Sequence, residues 1–150
     1  MSTSTTTRRP VRRPSTAGRR FGHAVAVVVN VAMLYVVNVW PGWDSLWFLT
    51  EDTTQVLGLV NASIVVGMVA NAVYIAHDVG RLRALGDLVT TSIGLAAMIV
   101  IWQVFPFDFG GAGFDWELVV RIVLGVGIVG SVIAIITHLV SLVTDSRSPR

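Results

Sequence analysis

VLGLVNASIVVGMVANAVYIAH, residues 56–77, is the stretch whose reading decides the fold. It runs for twenty-two residues with no formal charge before its terminal histidine. At about 1.5 Å per residue such a helix is about 33 Å long, enough to cross a hydrocarbon layer about 30 Å thick. Apolar side chains cover most of its faces, but Ser63, Gly67 and Asn71 recur every fourth residue, and Tyr74 and Asp78 carry that stripe to one end. Lipid tails are as apolar as leucine, so a small and polar seam marks contact with protein rather than with lipid. Residues 56–77 therefore read as the central packing helix of a membrane bundle.

Working outward, three further apolar runs occupy 21–40, 88–105 and 118–143. Hydrophobic residues make up 53% of the 150-residue chain and charged residues 13%, against about a quarter charged in soluble domains. Mean hydropathy is +0.71. The charges cluster between the runs, which excludes a soluble bundle and predicts an all-α, four-helix transmembrane bundle spanning 21–143, with backbone hydrogen bonds satisfied within each helix. Cysteine is absent, so disulfides, zinc–thiolate sites and iron–sulfur clusters are excluded. Every basic side chain other than histidine is arginine, a bias typical of GC-rich genomes that points to a bacterium. A net charge of +2 does not suggest a nucleic-acid partner.

Residues 1–20 are rich in Ser, Thr, Pro and Arg, lack acids, and bury too little to offset the entropy of ordering, so they read as a disordered basic tail. RRFGHAVAVVV, residues 19–29, has features of a twin-arginine export signal. No small-residue cleavage site follows, however, and the apolar run exceeds a signal core. Pro41 and Gly42 end the first span. Trp43, Trp47 and Phe48, alternating with Asp44, Glu51 and Asp52, predict a short amphipathic segment in the interface. The stretch 78–87, DVGRLRALGD, reads as a compact connector. Pro106 stops the third span before the acidic, aromatic loop PFDFGGAGFDWE at 106–117, and 144–150 form a polar tail.

Arginines flank the N-terminus, the 78–87 connector and the C-terminus, while the other two loops carry only acids. The positive-inside rule then puts both termini in the cytoplasm of a bacterial cell, with the chain multi-pass in its plasma membrane. All five Trp residues, at 40, 43, 47, 102 and 116, fall at the outer edge as an aromatic belt. Val39-Trp40-Pro41 and Val104-Phe105-Pro106 suggest a faint parallel repeat of two hairpins.

Several constellations are candidates for chemistry. His23, His77 and His138 all lie at the cytoplasmic edge, level with Asp78 and Asp87. Imidazoles from separate helices are able to ligate haem iron or a metal, but no H-x-x-x-H spacing supports it, and His is at home where one end is apolar and the other wet. No cofactor is expected. Asn30, Asn38, Asn61 and Asn71 lie within spans and need partners. Together with Ser63, Gly67 and Tyr74 they form either packing contacts or a polar pathway, with Asn38 and Asn61 placed to pair across the first hairpin. Glu117 and Arg121 are set for an i,i+4 ion pair. Gly127/Ser131 and Gly130/Ala134 are small-xxx-small pairs on the fourth span, suited to intramolecular packing or to a protein partner or second copy. No phosphate loop, dinucleotide fingerprint, nucleophile elbow or HExxH is present, and GGAG at 110–113 lies in an acidic loop that would repel phosphate.

The segments WPGWDSLWFLTED (40–52), NAVYIAHDVG (71–80) and VFPFDF (104–109) give the chain its family resemblance. It resembles small, Trp-edged, four-span integral membrane proteins of actinobacterial type, a resemblance that implies topology and no activity. The two-loop layout is also similar to claudin-type tetraspans, but their paired loop cysteines are missing and their function is not carried over. The expected role is a non-enzymatic accessory, scaffold or interaction subunit in the lipid bilayer. The alternatives are a small-solute or ion pathway formed by an oligomer, and a haem or metal redox protein using the histidines.

Overall fold

The structure, a computed structural model, describes residues 16–77, 80–111 and 113–145. The readings made above for 1–15, for Asp78 and for 146–150 lie outside the described residues. Four helices account for most of the rest: α1 (Thr16–Asn38), α2 (Thr53–Ala76), α3 (Gly80–Val104) and α4 (Trp116–Asp145), with one 3-10 turn at Trp43–Ser45. Each is long and apolar enough to cross a membrane, with mean hydropathy of 1.7, 2.0, 1.9 and 2.6 along the chain. The all-helical architecture expected from the sequence is therefore present, with four helices long and apolar enough to span.

Three boundaries differ from expectation. Helix α1 begins at Thr16, so residues 16–20, read as part of a disordered tail, form its first turn. Helix α3 begins at Gly80, so most of the connector expected at 78–87 is two further turns of helix. Arg, Leu and Ala in RLRAL are good helix formers, and α2 ends before His77, whose backbone is extended (φ −128°, ψ 104°). The amphipathic segment expected over 43–52 is a 3-10 turn at Trp43–Ser45 followed by two further turns, at 47–48 and 51–52, on either side of Leu49. Gly42 enters the 3-10 turn at φ +88°, where a Cβ would collide with the Asp44 carboxylate.

The helices pack as a series, α1 on α2, α2 on α3 and α3 on α4, rather than closing into a ring. Helix α2 thus has a neighbour on each side, and among the described helical residues the buried hydrophobic side chains are Val56, Ile64 and Tyr74 of α2 and Ala97 of α3. Helices α1 and α4 are the two ends of the series and leave most of their apolar surface outward. On α4, Val126 is 68% exposed and Val123 64%.

At one end of the molecule the two loops are stitched together. The Thr50 N–H donates to the Pro106 carbonyl at 3.1 Å and the Asp108 N–H to the Phe48 carbonyl at 2.9 Å, forming an antiparallel bridge at Leu49 and Phe107. Phe107 and Phe48 both stack on Phe109, with Trp47 edge-on to Phe48 and Phe109. The two X-Pro motifs of the suggested repeat differ locally: Trp40–Pro41 is cis, while Phe105 takes φ +45° before a fully buried Pro106. Any kinship between the hairpins does not extend to these turns.

Candidate functional site

Polar side chains inside the helical series gather at three levels along the α1–α2 contact. His23, Asn30 and Asn38 mark the α1 side, about 22 Å from first to last along the helix axis.

The level at the arginine-bearing end joins three helices. His23 Nδ1 lies 2.8 Å from Asn71 Oδ1. The amide oxygen only accepts, so Nδ1 carries the proton and Nε2 is left as an acceptor. An Arg83 Nη2 of α3 lies 3.3 Å from that nitrogen and donates to it. Asn71 Nδ2 in turn donates to the Gly67 carbonyl at 2.8 Å. A directed run of hydrogen bonds therefore passes from α3 through α1 to α2. Tyr74 fills the space beneath it, its ring edge-on to His23 with centroids 5.4 Å apart, and Arg83 covers it at 5.6 Å from the centroid. The Tyr74 hydroxyl is 3.0 Å from both the Arg83 carbonyl and Asp87 Oδ1, and its single proton serves one at a time. Gly86 permits this approach, because a Cβ there would overlap the tyrosine hydroxyl.

At the middle level Asn30 faces Gly67; a Cβ on that glycine would lie 3.7 Å from the Asn30 amide nitrogen. Among the described residues no hydrogen bond holds the Asn30 side chain. At the loop end Asn38 and Asn61 exchange a reciprocal pair of amide hydrogen bonds, 2.9 and 2.7 Å, and Asn38 Nδ2 also reaches the Leu34 carbonyl at 2.9 Å. Ser63 instead turns back on its own helix, donating to the Val60 carbonyl at 2.7 Å.

The α3–α4 contact is built differently. Arg121 and Glu117 form the i,i+4 ion pair at 3.1 Å, and the guanidinium also sits over Phe105 at 4.1 Å and Trp102 at 5.9 Å. That adds cation–π contacts to a pair which, being exposed, contributes little alone. Gly127 faces Met98, whose sulfur would be 2.8 Å from a Cβ at 127, whereas nothing lies within 4 Å of one at 130. Of the two small-residue pairs, Gly127/Ser131 thus starts from a glycine packed within the chain. Gly130/Ala134 starts from a glycine open to the surroundings.

The three histidines are not brought together. His23 belongs to the polar cluster, His77 is exposed where α2 ends, and His138 is half-buried on α4. Among the described residues no three His, Cys, Asp or Glu side chains are grouped to hold a metal ion. Two members of the cluster, Arg83 and Gly86, are not among the candidates the sequence offers, and Asp87, which it places only level with the histidines, serves as a hydroxyl acceptor. The signal that would have found them is local: Arg83 and Asp87 are four apart, on one face of a helix as soon as 80–87 is read as helix. What the assembled groups do chemically is join helices in a fixed rotation and register.

Comparison with known proteins found no matching family model, no similar curated protein and no similar solved structure.

Proposed function

We propose that the chain is a non-enzymatic accessory or scaffold subunit of a bacterial plasma membrane, with both termini in the cytoplasm, and that it assembles with a protein neighbour through the outward face of α4. The observation that carries this reading is the serial packing. The polar groups of α1, α2 and α3 bond mainly to one another, while α4, thirty residues long, packs on α3 alone and turns Gly130 outward. Without a hydrophobic force between helices in lipid, a second neighbour would be selected by close approach, which an open glycine allows.

The chain contains no cysteine, so single cysteines introduced along α4 give an unambiguous test. Scanned from Val123 to Thr137 in native membranes and labelled with a bilayer-soluble maleimide, positions on the face of Gly130 and Ala134 are expected to be protected with a period of about 3.6 residues. The protection should vanish when the protein is isolated as a monomer in detergent. Uniform labelling along α4 in both states would refute the assembly face. Cysteines at Ser45 and Arg81 test the orientation: the first should react with an impermeant reagent from outside intact cells, the second only after lysis.

Asn30 favours one alternative, a small-solute or ion pathway, because its amide lies mid-span without a hydrogen-bond partner among the described residues. Replacing Asn30 by leucine in reconstituted vesicles decides between them. A pathway loses flux while the protein stays folded; a scaffold subunit shows no flux to lose.

A further inference from the structure

Of the asparagines within the helices, Asn38, Asn61 and Asn71 bond to other side chains, whereas Asn30 meets no hydrogen-bond partner among the described residues. Asn30 is half-buried, with one flank toward Gly67 and both amide atoms reaching the surface of the molecule. In the transmembrane reading it lies about 4 Å along the axis from the middle of the 17–38 span. Surface at that depth faces hydrocarbon, which offers no hydrogen bond in place of water. An amide left there alone is destabilising. The unmet group therefore calls for a hydrogen-bonding side chain from outside the chain, at its own depth.

The surroundings of Asn30 favour a helix over a solute. Val29 and Met33, beside it on the outward flank, are 50% and 48% exposed, so no polar file leads away from the amide. Ala26 and Gly22 precede it at steps of four residues, and nothing lies within 4 Å of a Cβ placed on Gly22. Small residues at that spacing let a second helix come close. Helix α1 has room for one, because it ends the series and packs mainly on α2.

A second copy of the chain supplies what is missing. Copies inserted in the same orientation are related by a two-fold axis along the membrane normal, which sets a residue near the axis opposite its own counterpart. A side-chain amide both donates and accepts, so two such groups satisfy each other. The protein already uses this arrangement between α1 and α2, where Asn38 and Asn61 exchange bonds of 2.9 and 2.7 Å. We infer that the chain forms a homodimer across α1, with Asn30 paired to its counterpart in the second copy and Ala26 and Met33 packed around the pair. This rests on the transmembrane reading proposed above and not on the α4 face, which lies at the other end of the series and stays uncovered.

The test uses the full-length protein. Met33→Cys, on the proposed face, should give a covalent dimer when native membranes are oxidised, and Tyr35→Cys, elsewhere on α1 and 52% exposed, should not. Protein labelled at Ser45→Cys with donor or acceptor dyes then reports association by energy transfer across a detergent dilution in mixed micelles. Asn30→Leu should weaken the dimer about tenfold or more, for two interhelical hydrogen bonds lost. Asn30→Gln, which keeps the amide, should retain it, and Gly130→Leu on α4 should leave it unchanged. Because Asn30 bonds to nothing within the chain, Asn30→Leu should unfold as the wild-type monomer does. Absence of energy transfer in the wild type, a dimer indifferent to Asn30→Leu, or equal cross-linking at 33 and 35 would each refute the α1 dimer. A dimer lost with Gly130→Leu and kept with Asn30→Leu would also refute it, while upholding α4 as the assembly face. The cross-linking arm leaves Asn30 in place, so the test stands even where its substitution impairs folding.

Discussion

Replacing Gly86 by alanine puts a methyl group where the Tyr74 hydroxyl now lies, and the same methyl would stand 2.9 Å from Cζ and 3.1 Å from Cε1 of that ring. Tyr74 is 5% exposed, wedged between His23 and α3, so the ring has little room to retreat. Moving it breaks the bond to the Arg83 carbonyl or to Asp87 and disturbs the edge contact with His23. Overpacking a tight contact costs about 1–3 kcal/mol, and an interhelical hydrogen bond in a membrane is worth about 0.6–1.7 kcal/mol. Alanine's better helix propensity returns at most about 1 kcal/mol. The net expectation is a destabilisation of about 1–3 kcal/mol. In a Tyr74→Leu background the obstacle is gone, and Gly86→Ala should be neutral or stabilising by up to about 1 kcal/mol. The four proteins form a double-mutant cycle, read by reversible SDS unfolding in mixed micelles, with an expected coupling of about 1.5–3 kcal/mol. An equal cost of Gly86→Ala with Tyr or Leu at position 74 would show that the glycine is not there to admit the tyrosine, and the account of how α2 meets α3 would fail.

The Asn38–Asn61 pair should behave as one unit: either alanine substitution costs about 0.6–1.7 kcal/mol, and the double variant costs no more than one single, because the first already leaves the partner amide unbonded. Additive losses in the same unfolding assay would show that each amide bonds elsewhere. Gly127→Leu and Gly130→Leu should separate the two small-residue pairs in the isolated monomer. The first displaces Met98 and destabilises by about 1–3 kcal/mol, while the second meets nothing within 4 Å and should leave unfolding unchanged. Similar effects from both would contradict the packing of α4 on α3. Glu117→Gln should lower stability by less than about 1 kcal/mol, because the pair is exposed. Arg121→Gln should cost more, since it also removes the cation from Phe105 and Trp102; equal effects would mean that the ring contacts contribute nothing.

The spans were legible because hydropathy is a property of a segment by itself. Residues 56–77, with no charge before their last position, are long and apolar enough to cross a membrane whatever surrounds them, and the end residues of that helix moved by only a few places. Local pairs were equally legible, since Glu117 and Arg121 share a helix face through backbone geometry alone. Asn38 and Asn61 were brought opposite one another by counting residues back from a short turn. Partners drawn from different helices were not legible. Whether His23 meets Asn71, Tyr74 and Arg83 depends on how three helices rotate about their axes, and helices apolar on nearly every side carry little periodic signal to set that rotation. The histidines at 23, 77 and 138 share a level in sequence yet point to different surroundings. The same limit hid the 80–87 helix: its charges read as a loop, although two of its residues, Arg83 and Asp87, hold the cluster in place. The sequence by itself determined that the chain forms four helices long and apolar enough to span a membrane. Tertiary structure decided which faces meet, that the helices form a series, and that the two loops are joined by backbone hydrogen bonds. Those outcomes rest on contacts between residues far apart in the chain, such as Thr50 with Pro106 and His23 with Arg83, which no local pattern encodes.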